Sequence, residues 1–233
     1  MNSDITQAIT GNKADVVMQW LTWADKDYVA ARRLLLEGLL VQGTSLANTA
    51  IEKYLKAILT VHDQTVVRIH DPLKLYQSLP ISDSLQLDIS FLTLLGKAYK
   101  MRYPDDLPFG YNISLCQFLL LHALDESIAK ITAKFDWKTR DGNSAVRLLN
   151  ALINDKDPNA TLHNVALGAI SKDELFALPS KVYENRRLNN GAWMEIDYVT
   201  ATIENESFDH EGFVQINDRQ FNLSHLPLGQ QPS

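Results

Sequence analysis

Five basic side chains in the first half of the chain are of the right type to hold a phosphate: Lys53, Lys56, Arg68, His70 and Arg102. A lysine ammonium and an arginine fork both make charge-assisted bonds to phosphate oxygens, and histidine adds a proton that moves near neutral pH. Arg68 and His70 stand two positions apart in Arg68-Ile69-His70-Asp71, so one anion can meet both. A structural reading competes. A lone His usually bonds a loop carbonyl or packs in the core, here beneath the central helix, with Asp71 only capping the helix that follows. Lys53 and Lys56 read equally as a solvated helix face, and Arg102 as a cation at a helix C-terminus, where the dipole favours it.

Other chemistries find less support. Asp25 with Asp27, Asp105 with Asp106, and Asp209-His210-Glu211 are acidic clusters, but none has a second ligand pair at a spacing diagnostic of a metal. There is no Gly-rich phosphate loop, no Gly-x-Ser-x-Gly elbow and no Cys-x-x-Cys. No metal or cofactor is implied. The one cysteine, Cys116, excludes an intramolecular disulfide, and its surroundings Ser114-Leu115-Cys116-Gln117-Phe118-Leu119 read as helix interior, where a thiol acts as a small apolar group.

These residues must be positioned by helices. Ser45 to Leu59 has no Gly or Pro, and Ala47, Ile51, Tyr54 and Ile58 draw one apolar stripe with Glu52, Lys53 and Lys56 on its shoulder. Before it, Val16 to about Leu40 keeps helical spacing through Trp20, Ala24, Ala31 and Leu35. Gln42-Gly43-Thr44 reads as its stop, and Thr44 or Ser45 as the cap of the central helix. Asp71-Pro72 starts a short helix that stops at Pro80. Asp83 with Gln86 suggests a capping box for a helix carrying Leu85, Ile89, Leu92, Leu95 and Tyr99, and Ser114 with Gln117 another for a helix reaching Phe135. The expectation is a mainly α protein: a five-helix up-down bundle over 16–137, after a lead-in over 1–15.

After Trp137 the pattern changes. Lys138 to Asn143 reads as a linker, Ala145 to Ile153 as a short helix, and Lys172 to Asn185 as ambiguous around Pro179. From Trp193 the period shifts to two, and Phe213 to Leu223 reads as a hairpin around Asn217-Asp218-Arg219. Residues 138–226 are therefore expected to form a small α+β region whose few strands must lie on the helices of 145–185 or on a partner, and 227–233 a disordered tail.

Charge narrows the partners. The chain has 233 residues, 45% hydrophobic, with a net charge of −6. Up to Trp137 there are 13 basic against 15 acidic residues, and 9 against 13 after it, so neither half has the positive excess that non-specific nucleic-acid binding exploits. The N-terminus has no basic stretch followed by an apolar run, and no apolar stretch approaches the ~20 residues of a membrane span. A cytoplasmic protein is expected.

Taken together, Ala24-Asp25-Lys26-Asp27-Tyr28 with Ala31-Arg32, then Glu52-Lys53-Tyr54-Leu55-Lys56-Ala57-Ile58-Leu59, His70-Asp71-Pro72-Leu73 and Arg102-Tyr103-Pro104-Asp105 resemble the HEPN domain family (higher eukaryotes and prokaryotes nucleotide-binding). The likeness covers about Trp20 to Phe135; Asn48 and Thr49 stand where the family usually has glutamines. The resemblance implies a helical bundle that dimerises. Some members are metal-independent ribonucleases with an Arg, four to six residues, then His on the last long helices; others are binding modules, including partners of small nucleotidyltransferases. Of nine arginines only Arg219, with His225, has that spacing, and it falls in the strand-rich tail rather than the bundle. The missing motif favours a non-catalytic module that dimerises, through surplus apolar residues such as Trp23 and Leu120, and binds a nucleotide or a protein partner. The alternative is a ribonuclease with a rearranged site built on Arg68, His70 and Arg102.

Overall fold

The computed structural model describes residues 9–63, 69–135, 147–203 and 207–208. Two long helices, α1 (Asn12–Leu36) and α2 (Leu40–Val61), form a hairpin at its centre. The short α3 (Pro72–Gln77) and α4 (Ser82–Leu85), then α5 (Ile89–Tyr99) and α6 (Gln117–Thr132), complete the bundle. Two 3-10 turns, Lys100–Arg102 and Pro104–Asp106, and a strand β1 (Asn112–Cys116) connect α5 to α6. The second half supplies α7 (Leu148–Asn154), α8 (Pro158–Thr161), a 3-10 turn Val165–Leu167, α9 (Lys172–Phe176), β2 (Ser180–Arg187) and β3 (Trp193–Thr200). The expected five-helix bundle and antiparallel meander are both present, with α4 as an extra turn.

The α1 seam is a run of threes and fours: Val17, Leu21, Ala24, Tyr28, Ala31 and Leu35 are all buried. The helix stops earlier than the sequence suggests. Gly38 takes a left-handed conformation (φ +75°), and the bonds Gly38 N–H to Leu35 O (2.9 Å) and Leu39 N–H to Leu34 O (2.8 Å) close the helix end. Gly43 and Thr44, expected as stop and cap, instead lie inside α2. Thr44 Oγ donates back to Leu40 O at 2.7 Å, and a Cβ on Gly43 would sit 2.8 Å from the Leu35 side chain. Gly43 is therefore a close-approach residue, not a terminator. Gly38→Ala is expected to cost about 1–2 kcal/mol, because an L side chain is strained at that φ; a urea melt with an unchanged midpoint would show that the turn can reorganise.

Two other starts are corrected. Gln86 takes the left-handed end of α4, and it is Asp88 that caps α5, accepting from Ser90 N–H (2.8 Å) and Phe91 N–H (3.2 Å). Ser114 does not cap α6, because Asn112–Cys116 is a strand with Ile113 and Leu115 turned into the core. Cys116 thus ends β1 rather than lying in a helix, and burial pushes its thiol up. The Asp71-Pro72 start holds as read: Asp71 accepts from Leu73 N–H (3.1 Å) and Lys74 N–H (3.2 Å).

The strands of the second half join the bundle itself. β2 pairs antiparallel with β1 (Ile113 opposite Asn185, Leu115 opposite Tyr183) and with β3 (Glu184 opposite Ile196), giving the order β1-β2-β3. The sheet packs on α6 and α2, not on the helices of 145–185 as expected, because β1 offers a ready ladder of backbone groups. The ambiguous stretch divides cleanly: Ser171 and Glu174 form a capping box for α9, and β2 follows Pro179. The linker, the hairpin at 213–223, the tail and the Arg219–His225 pair lie outside the described residues.

Two buried ion pairs tie the halves together. Arg32, wholly buried, donates from Nε to Asp125 Oδ1 (2.8 Å) and from its two terminal nitrogens to Asn159 O (3.0 Å) and Leu162 O (2.7 Å). Asp25 is gripped by Arg147, accepts from Tyr54 OH (2.5 Å), and takes the Leu149 N–H at 3.3 Å. A charge this deep is tolerated only when its partner and remaining bonds are supplied.

Candidate functional site: an aromatic and cationic face

The outer shoulder of α1 and α2, the His70 loop and the end of α5 share one face. On α2, Glu52 and Lys56 are one turn apart, both nearly buried, and paired at 2.5 Å. Lys56 also lies over the Trp20 ring of α1, 5.7 Å from its centroid. One residue along, Lys53 pairs with Asp27 of α1 at 2.5 Å and lies 5.8 Å over Trp23. Each lysine is thus held between a carboxylate and an indole.

Glu52 has a second partner. His70 Nδ1 is 3.2 Å from both of its carboxylate oxygens, and the other face of the cluster is Tyr99, stacked on the imidazole at 6.1 Å and 19°. The loop is pinned from below: Asn48, fully buried, donates through Nδ2 to the His70 carbonyl at 3.3 Å. This is one of the positions where the family usually has glutamine; the other, Thr49, bonds only back to Ser45 O at 3.2 Å. The His70 side chain nevertheless stays 61% exposed, so it is not the buried packing residue of the structural reading.

Arg102 completes the row. Its guanidinium lies 4.8 Å over the Tyr99 ring and 5.8 Å over Tyr103. His70 and Arg102 therefore share one ring, while no carboxylate among the described residues is paired with Arg102. Of the five sequence candidates, Lys56, His70 and Arg102 gather around Glu52 and Tyr99. Lys53 stands beside them with its own partner, and Arg68 lies outside the described residues.

Sequence reasoning did not find Glu52 and Asp27 as the groups that neutralise the lysines, nor Tyr99 as the shared ring. The i, i+4 spacing of Glu52 and Lys56 was the available signal. With both ammonium groups matched by acids, the net positive charge on this face comes from Arg102 and, when protonated, His70. The surface is open, with Trp23 47% and Tyr103 54% exposed. Leu120, expected beside Trp23 as apolar surplus, is instead in the core.

Among the described residues no cluster of three or more His, Cys, Asp or Glu could hold a metal ion, and no helix is long and apolar enough to cross a membrane. Asp25 and Asp27, two positions apart on α1, point to opposite sides: one to Arg147 in the core, the other to Lys53 on the face.

No curated protein and no solved structure matches the chain. The family model of the HEPN domain does match, over residues 17–130, which spans α1 to α6 and contains every element of the face. Bundle, motif blocks and family match coincide in one segment: residues 17–130 of this chain match the HEPN domain family.

Proposed function

We propose that this HEPN domain is a non-catalytic binding module that associates with a second copy of itself through the α1/α2/α5 face. The observation that carries the reading is the neutralisation of both lysines by Asp27 and Glu52. A phosphate pocket needs free cations, whereas this face offers exposed Trp23 and Tyr103 with a stacked Arg102. Trp, Tyr and Arg are the side chains that anchor protein interfaces. Exposed aromatic rings over partly buried charges also lose little entropy on docking, since the cation–π contacts already hold them.

In sedimentation at about tens of micromolar, a range suited to a weak interface, the wild type is expected to be a dimer and Trp23→Glu a monomer. A monomeric wild type, or a dimer untouched by Trp23→Glu, removes the interface. Titration of ATP, GTP and short RNA into wild type and Arg102→Ala is the control for the ligand reading. Binding that Arg102→Ala abolishes would make the face a phosphate site using Lys53, Lys56, His70 and Arg102; equal or no binding leaves it a protein surface. A nucleotidyltransferase partner would occupy this face in place of the second copy.

A second reading rests on His70 and Glu52. A carboxylate at Nδ1 orients an imidazole and leaves Nε2 to solvent, the arrangement of a general base, and Arg102 beside it can hold a phosphate. Cleavage of a fluorogenic RNA in EDTA, lost in His70→Ala, would establish it; no cleavage by the wild type sinks it.

A further inference from the structure

β3 is an edge strand. The order β1-β2-β3 leaves its outer row of backbone N–H and C=O groups without a ladder partner among the described residues. One face of the strand also borders a groove of about 740 Å³. The start of α2 (Leu40, Val41) and the chain after α5 (Met101, Leu107) form its other walls, and Tyr183 and Asn185 of β2, both nearly buried, its floor.

Alternation puts Trp193, Glu195, Asp197 and Val199 in one row on the groove side. That row is acidic in the middle and apolar at both ends. Trp193 is 43% and Val199 62% exposed, and both carboxylates face solvent. Neither Glu195 nor Asp197 has an ion pair among the described residues. The basic side chains nearby are turned elsewhere. Arg187 lies between the Phe109 and Trp193 rings, at 4.8 and 5.5 Å from their centroids, and donates to Leu107 O. Lys181 lays its chain against Gly38, leaving no room there for a Cβ. Burial pushes the Tyr183 hydroxyl up to about 12, and Glu195 and Asp197 add to that push, so their negative charge reaches the groove floor.

Acids on an edge strand have a simpler use: they keep two copies from pairing, here because Glu195 would face Asp197 when β3 meets itself about Ile196. That accounts for the charges. It does not account for the exposed Trp193 and Val199 that flank them, nor for the groove they border. Unpaired acids between apolar groups suit a partner that brings the opposite charge, and the chain's net charge of −6 attracts the same class of partner from a distance.

We infer that β3 is a docking edge for an extended basic segment of another protein, which adds as a fourth strand and sets two cationic side chains, two positions apart, beside Glu195 and Asp197. Backbone bonds to the edge supply affinity whatever the sequence, and the side-chain row selects for it. Every second residue of the segment faces the groove, so the pattern selected is basic-x-basic-x-apolar, the last residue reaching Val199 or Trp193.

The probe is the capped peptide Thr-Lys-Val-Arg-Val-Phe-Thr, labelled and titrated with the full chain. In fluorescence anisotropy it is expected to bind saturably with a Kd of about 100 µM or tighter. Two control peptides should bind at least about tenfold more weakly: one with Glu for both cations, which meets like charge, and one with Pro for both valines, which keeps the charge but makes a poor strand. Glu195→Gln with Asp197→Asn should weaken the basic peptide by about fivefold or more while keeping the wild-type circular dichroism, and Trp23→Glu should leave its binding unchanged. Binding should also slow amide exchange within Trp193–Thr200, read by NMR. No saturable binding, equal binding of either control peptide, or full binding by the neutralised variant would overturn the inference. So would unchanged exchange in β3, or loss of binding in Trp23→Glu, which would put the peptide on the aromatic face. A neutralised variant that self-associates while the wild type binds no peptide would assign the acids to keeping copies apart, and would overturn it too.

Discussion

Asp25→Ala is expected to lower the stability of the chain by about 3–5 kcal/mol, because removing one partner of a buried pair leaves the other charge uncompensated. Three groups lose their acceptor at once: the Arg147 guanidinium, Tyr54 OH and the Leu149 N–H. Tyr54 and Asp25 are both wholly enclosed, so water cannot step in without reopening the packing. The loss should be local as well as global. Arg147 and Leu149 hold the start of α7 on α1, so limited proteolysis of Asp25→Ala should cut within the second half at concentrations that leave the wild type whole. The double variant Asp25→Leu, Arg147→Met should recover most of the stability, since replacing both members of a buried pair by apolar groups is often neutral or favourable. A urea midpoint for Asp25→Ala within about 1 kcal/mol of wild type would mean that the pair is not needed.

The second large effect is in pH. Burial raises the Asp125 carboxyl to about 7, against the pull of Arg32 and the Tyr28 bond. An unfolded aspartate titrates near ~3.9, so between these values the folded chain binds more protons than the unfolded one. A raised pKa of this kind contributes stability that is complete below the unfolded value and is lost as pH rises through the folded one. Over that window the loss from this single group is on the order of a few kcal/mol. Asp125→Asn cannot ionise and escapes it. The stability difference between wild type and Asp125→Asn, from urea melts between pH ~4 and ~8, should therefore shift steadily in favour of the asparagine variant as pH rises. A gap that stays constant, or widens in favour of wild type, would show that Arg32 keeps the carboxylate ionised throughout.

The first effect arises from a residue of a motif block, Asp25, and the second from Asp125, the partner of two others, Tyr28 and Arg32. Asp25, Tyr28 and Arg32 are among the residues that carry the family resemblance, and all three face inward, in the ion-pair network under α1. Their partners Asp125, Arg147, Asn159 and Leu162 lie some 90 to 130 positions away along the chain, beyond the reach of any local pattern. Glu52 shows the same limit at shorter range. Its i, i+4 bond to Lys56 could be read from spacing, but its bond to His70 depends on where the intervening loop returns.

What the sequence determined by itself was what is local. Apolar stripes at threes and fours specify α1, α2, α5 and α6, and the cap at Asp71-Pro72 and the period of two after Trp193 specify where a helix starts and where strand begins. These signals suffice because a helix or strand is written in residues three, four or two apart. Tertiary structure decided the rest. It chose Gly38 over Gly43 as the helix stop, because only Gly38 takes a left-handed φ while Gly43 lies where α1 and α2 touch. It made Asn112–Cys116 a strand, because β2 arrives to pair with it. It paired two candidate phosphate ligands, Lys53 and Lys56, with Asp27 and Glu52, and it put Asp125 and Arg147 at one cavity wall. Charge pairing and cavity formation are properties of distances in space, and distances between residues far apart in the chain are set only when the helices pack.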